Sequence, residues 1–243
     1  MNRIVLTLLA LVFLSVRVLA DETPKEALNK ALLQFSKTLP KTGIDTFKPS
    51  PVPGLYQVGA GPEVFYFSPK GYLVFGEIWS QDGRNMTAEA REEIIRANFD
   101  RLPMDKALTI GNGPVQVVEF TDPDCPFCRQ VDQVLAERAD ITRHIFFFPL
   151  ESIHRSARDK AKYILCNEDP NRAMREVYQG GLDNRPIPQP GDCEADTLID
   201  ENLRAGGSVG VRGTPTIWIN GRRFLGDAKA LSTFLDNQKG EVQ

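Results

Sequence analysis

The sequence predicts an α+β protein of two units, a small N-terminal one and a larger C-terminal one, joined by a helix. Three observations carry this. Short apolar runs punctuated by turns fill 55–79, strands and helices alternate from 107 onward, and a charged helical stretch at 87–101 lies between them. Hydrophobic residues make up 42% and charged ones 25% of the 243, the composition of an ordinary globular protein. The formal charge of -3 supplies no basic field, which sets aside nucleic acid and anionic membrane as partners.

Residues 1–20 are predicted to be a signal peptide rather than part of the fold. Arg3 gives a positive start, 4–14 is an apolar run, and Val18-Leu19-Ala20 offers a cleavage site. The run is about half of the ~20 apolar residues that a spanning helix needs. No Cys follows the cleavage site, which excludes a lipid-anchored Cys. Loss of Arg3 and Arg17 would leave 27 basic against 32 acidic residues. Export also places the four cysteines, Cys125, Cys128, Cys166 and Cys193, where disulfides persist. Four cysteines allow three connectivities, and the sequence alone does not choose among them.

The N-terminal unit is predicted at 21–84. A helix over 21–39 repeats Ala27, Leu28, Ala31, Leu32 and Phe35 at three- and four-residue steps until Pro40 ends it. The three prolines in 48–54 predict loop. Runs at 64–67 and 72–75 flank Ser68-Pro69-Lys70-Gly71, a type I turn pattern, and predict antiparallel strands. A unit of this size buries too little surface to be comfortable alone, which points to an oligomeric partner. Residues 85–105 are assigned as the linker helix, capped by Thr87 and largely solvated. Asn85-Met86-Thr87 matches a glycosylation sequon by chance.

From 106 to 243 the pattern is strand (115–120), helix (127–136) and strand (141–148), then a mostly helical stretch. A hairpin across Asn220-Gly221 and a helix at 228–237 close the chain. This order is what a mixed sheet of thioredoxin type requires.

Cys125-Pro126-Phe127-Cys128 follows a strand and opens a helix. The unpaired N–H groups and dipole of a helix N-terminus favour a thiolate, the attacking species in disulfide exchange. Cys125 is therefore the expected nucleophile and Cys128, one turn on, the resolving thiol. Pro126 is tolerated in the first turn. A zinc half-site is disfavoured, because the other two cysteines are not closely spaced and neither His144 nor His154 is placed as a partner. No metal or other cofactor is expected. With the CxxC assigned to redox work, Cys166 and Cys193 pair by elimination, and their loop would contribute roughly 3.5 kcal/mol. Phe146, Phe147 and Phe148 are expected in strand core, Asp122 and Asp124 as turn and cap residues, and Arg212 as an exposed loop charge. His144 and His154 receive no role.

The segments Phe120-Thr121-Asp122-Pro123-Asp124-Cys125-Pro126-Phe127-Cys128 and Gly210-Val211-Arg212-Gly213-Thr214-Pro215-Thr216, with the small domain, linker helix and second Cys pair, resemble the DsbC/DsbG family of disulfide isomerases. The likeness spans essentially all of 21–243. It implies an N-terminal dimerisation domain, a thioredoxin-fold catalytic domain with a helical insertion, and a V-shaped periplasmic homodimer with an uncharged cleft. It also implies that Pro215 is a cis-proline opposite the dithiol, with the Thr214 backbone free to bind extended substrate. One departure stands out: the isomerase branch carries Gly-Tyr between the cysteines and its sister branch Pro-Tyr, whereas this chain has Pro126-Phe127.

These features predict a soluble periplasmic enzyme that isomerises or reduces incorrect disulfides in misfolded exported proteins, with chaperone activity. A membrane thiol reductant of DsbD type would keep it reduced. Three alternatives stay open: a thiol oxidase, a reductase of oxidised single cysteines, and a redox-independent holdase.

Overall fold

The computed structural model describes residues 23–188, 191 and 193–238, so the predicted signal peptide at 1–20 lies outside the described residues. Helix α1 (Pro24–Thr38) begins at a capping box in which the Thr23 side chain accepts the Glu26 N–H and the Glu26 carboxylate accepts the Thr23 N–H. Its buried residues Ala31 and Phe35 lie four apart on one face. That face rests on an antiparallel sheet of β1 (Thr46–Pro49), β2 (Tyr56–Ala60), β3 (Glu63–Ser68) and β4 (Tyr72–Val74), in that order. The loop expected at 48–54 therefore starts later than its prolines imply. Pro49 ends an edge strand, where a missing N–H is tolerated.

Strand β3 is apolar on both faces, and this decides the role of the next helix. Phe65 and Phe67 pack with Phe35 and Val58 beneath α1, while Val64 and Tyr66 pack with Ala90 and Ile94 of α2 (Met86–Phe99). A period-two strand with two apolar faces needs two covers. So α2 is not the largely solvated connector the charges suggested: Thr87, Ala90, Ile94 and Ile95 are all buried. Nor is Thr87 its cap. The Asn85 side chain accepts the Ala88 N–H at 2.9 Å, and the buried Thr87 hydroxyl bonds the Tyr66 hydroxyl and accepts the Ile78 N–H at 2.8 Å.

The C-terminal sheet holds β5 (Leu108–Gly111), β6 (Val115–Thr121), β7 (Ile141–Phe147), β8 (Thr216–Ile219) and β9 (Arg222–Phe224), in the order β5-β7-β6-β8-β9. Strand β5 is short and half-exposed, and no apolar run announced it. Strands β6 and β7 are parallel, and α3 (Pro126–Leu135) makes the crossover that parallel neighbours need. Between β7 and β8 stand α4 (Ala157–Leu165), α5 (Pro170–Tyr178) and α6 (Ala195–Ser208), and α7 (Ala228–Gln238) ends the described chain. Val131 and Leu135 of α3 join Leu231 and Leu235 of α7 over Val117, Ile217 and Ile219. On the opposite face α6 and its C-cap place Ala205 and Val209 among Val118, Phe120, Phe146 and Trp218. Gly206 allows that approach, since a Cβ there would lie 2.7 Å from the Phe148 ring. The β8–β9 turn takes positive φ at Asn220 (48°) and Gly221 (78°), as a two-residue hairpin demands.

Helix α2 also joins the two units. Its Phe99 ring lies 5.3 Å from Trp218, and Asn98 donates to the Ser208 carbonyl at 2.8 Å. Glu63 of β3 pairs with Arg212, so that exposed loop charge has a partner in the N-terminal unit.

Candidate active site

Central strand β6 ends at Thr121, and Asp122-Pro123-Asp124 turns the chain into α3. Cys125 is the N-cap of that helix and Pro126 lies in its first turn. Both thiols are free and nearly sealed, Cys125 at 4% exposure and Cys128 at 1%. The Cys125 thiol reaches the Thr214 carbonyl oxygen at 3.4 Å, and the Thr214–Pro215 peptide is cis. The structure thus brings together Cys125, Cys128, Thr214 and Pro215 from sites some ninety positions apart in sequence. Phe127, between the cysteines, is 64% exposed.

The two sulfurs differ sharply in acidity. The Cys128 thiol beside Cys125 is the largest influence lowering its pKa, to about 6. Burial opposes this, and the N–H groups of Cys128 and Phe127 at the helix start add to it. Burial first, and the hydrogen bond toward Cys125 second, push the Cys128 thiol far up. The Thr214 hydroxyl is buried at the site and has no hydrogen-bond partner among the described residues. One attacking thiolate and one protonated partner is the division of labour that disulfide exchange uses.

Several residues that sequence reasoning missed complete the site. Beneath α3, Arg143 donates from Nε to Glu119 at 2.7 Å and pairs with Asp132 at 2.9 Å. Each is under one-tenth exposed, and burial raises the Glu119 carboxyl. A single Glu inside the apolar run 115–120 was the available signal. Behind Cys128, buried Tyr178 shares a 2.8 Å hydrogen bond with Thr121, and burial pushes its phenol up. Beside the turn, buried Lys160 holds Asp124 and Asp183, and Arg129 grips Asp183 at 2.6 and 2.7 Å. The pairing with Arg129 is the main reason the Asp183 carboxyl sits well below the usual range.

Asp122 accepts the N–H groups of Asp124 and Cys125, as a turn residue would, and also bonds His154. No sequence spacing linked those two. His144 lies on β7, bonded to Gln116 at 2.9 Å and Thr109 at 3.3 Å, with burial lowering its pKa. Cys166, at the C-cap of α4, and Cys193, just before α6, are joined by a disulfide with their Cα atoms 6.0 Å apart. Phe146 and Phe147 are fully buried and Phe148 partly so.

Fold and site define a class: thioredoxin-like proteins with a dithiol at the head of the helix that follows a central strand. A family model described as the disulfide bond isomerase protein N-terminal domain matches residues 19–88, and one described as a thioredoxin-like domain matches 88–237. A probable thiol:disulfide interchange protein DsbC of Bordetella avium is 31% identical over 72% of this chain and 61% of its own length. The DsbC of Salmonella typhimurium is 24% identical over 97% of this chain and 95% of its own, and the Escherichia coli DsbG is 23% identical over 83% and 90%. The chain spans only about 61% of the length of the Bordetella relatives it matches. With both domain models in sequence along it, the chain belongs to the DsbC/DsbG family of thiol:disulfide interchange proteins.

Proposed function

We propose that this protein is a periplasmic disulfide isomerase and reductase whose nucleophile is Cys125. The observation that carries the reading is the split acidity of the pair, with the Cys125 thiol lowered to about 6 at the head of α3 and the Cys128 thiol raised. The Cys125 thiolate attacks one sulfur of a misplaced client disulfide. A bond forms from Cys125 to that sulfur as the client S–S bond breaks, and the other client sulfur leaves as a thiolate. If this thiolate, or another client thiolate, attacks elsewhere and finally displaces Cys125, the client is rearranged with no net electron transfer. If Cys128 instead loses its proton and attacks Cys125, the client leaves as a dithiol and the Cys125–Cys128 pair becomes a disulfide. That outcome requires re-reduction, for which a membrane thiol reductant of DsbD type is the partner.

Thr214 and Pro215 serve in this reading as the substrate-binding edge, and the Cys166–Cys193 bond is structural. The division into 21–84, 85–105 and 106–243 assigns dimerisation, linker and catalysis respectively. A homodimer through the N-terminal unit is supported by β4, an edge strand in the described sheet, and by exposed Tyr72, Val74, Phe75 and Trp79 near it. A soluble state after cleavage of 1–20 accords with the described helices, none of which is long and apolar enough to cross a membrane. Apolar residues exposed away from that edge, Phe127 beside the dithiol and Leu225 in the C-terminal unit, favour a second activity, holding unfolded chains, which would not need the thiols.

Refolding of a scrambled multi-disulfide protein tests the reading. Cys125→Ser should reduce the rate to the uncatalysed background, and Cys128→Ser should accumulate the mixed disulfide. An unchanged refolding rate in Cys125→Ser would sink the proposal. Aggregation suppression that survives in the same variant assigns the holding activity to the surface alone.

A further inference from the structure

The Asp122 carboxylate is fully buried and receives four hydrogen bonds. One oxygen accepts the N–H groups of Asp124 at 2.8 Å and Cys125 at 3.2 Å. The other accepts the Leu150 N–H at 2.7 Å and faces His154 Nδ1 at 3.0 Å. An imidazole nitrogen aimed at a carboxylate is the protonated, donating one. The Asp122 backbone N–H in turn points at Cys128 Sγ, 3.4 Å away. One residue therefore holds the backbone of the first cysteine and the sulfur of the second.

Two of the four donors belong to the turn that carries Cys125, and two to the segment that leads into α4. Three are backbone groups, and His154 is the one side chain. We propose that His154 is a positioning residue for the nucleophile, acting on Cys125 through Asp122; this rests on the reading of Cys125 as the attacking sulfur. A buried carboxylate stays in place only while its donors satisfy it. Removal of the imidazole leaves the charge less compensated beside the Cys125 thiolate and frees the carboxylate to turn away from the Cys125 N–H. Both consequences work against the thiolate.

The test uses the full chain in reduced form, unaltered and as His154→Ala and His154→Asn. Its readings are the pH dependence of Cys125 alkylation by iodoacetamide, the Cys125–Cys128 equilibrium potential against glutathione, and the urea midpoint. His154→Ala should raise the alkylation midpoint by about half to one pH unit, slowing labelling at pH 5 roughly three- to tenfold, and make the couple more reducing. His154→Asn, whose amide N–H can take the place of Nδ1, should restore most of both. Should the alanine variant fail to fold, His154→Ser is read in its place. The proposal is overturned if loss of the imidazole leaves midpoint and potential unmoved, or if His154→Asn behaves as the alanine variant does at an unchanged urea midpoint. If Cys125 of the unaltered protein labels no faster than an ordinary thiol, the nucleophile reading itself falls and takes this proposal with it, an outcome distinguished because it needs no variant.

Discussion

Cys125 and Cys128 stand free at the head of α3, whereas Cys166 and Cys193 are joined across the helical insertion. The two leading cysteines occupy opposite ends of helices. Cys125 is an N-cap, where unpaired N–H groups stabilise a negative sulfur, and Cys166 is a C-cap, where unpaired carbonyls disfavour one. The first pair closes a loop too short to constrain the unfolded chain, while the second closes one of 27 residues. In the proposed reading, helix polarity, the neighbouring Cys128 thiol and loop length together separate a reactive pair from a stapling pair within one domain.

Four outcomes would break or sharpen this contrast, taken from the largest expected effect downward. Arg143→Met should cost about 3–5 kcal/mol in urea unfolding, because Glu119 and Asp132 lose the guanidinium that compensates them beneath α3. A change below about 1 kcal/mol would mean that α3 does not depend on this anchor. Joint replacement Cys166→Ala and Cys193→Ala should cost roughly 3.5 kcal/mol by the loop-entropy estimate, yet move the Cys125 alkylation midpoint by less than about half a pH unit. A larger shift would show that the two pairs are not independent.

The third outcome concerns pH. With its pKa lowered to about 6, Cys125 should label about tenfold faster at pH 7 than at pH 5 while Cys128 stays unlabelled. The sign for stability follows. The reduced protein gains on its unfolded chain as pH rises from about 6 toward the ordinary thiol value of 9, and loses that contribution as pH falls through 6. A flat stability profile of the reduced form across this window would contradict a stabilised thiolate. Smallest is Arg212→Ala: its pairing with Glu63 joins the two units but both side chains are more than half exposed, so the urea midpoint should move by less than about 1 kcal/mol.

Local signals carried much of the fold. Asn220-Gly221 marked the β8–β9 hairpin, Ser68-Pro69-Lys70-Gly71 marked the β3–β4 turn, and the CxxC lay between a strand and a helix as read. Elements without a strong local pattern escaped: β1 hidden by Pro49 and the two prolines that follow it, β5 by its half-exposed alternation, and the buried face of α2 by its charges. The last was legible only through β3, whose second apolar face required a cover. In the site the cysteines declared themselves, but Glu119, Arg143, Lys160, Asp183 and His154 did not, because each matters through a partner distant in the chain.

By itself the order of residues determined a dithiol at a helix start, the strands and helices on either side of it and a proline loop downstream, since these depend on backbone preferences over a few neighbours. Only the tertiary structure decided how acidic each sulfur is and which charges lie beneath and beside it. The acidity of a buried group is set by water removed and partners supplied from every side, and the chain assembles those surroundings only when it folds.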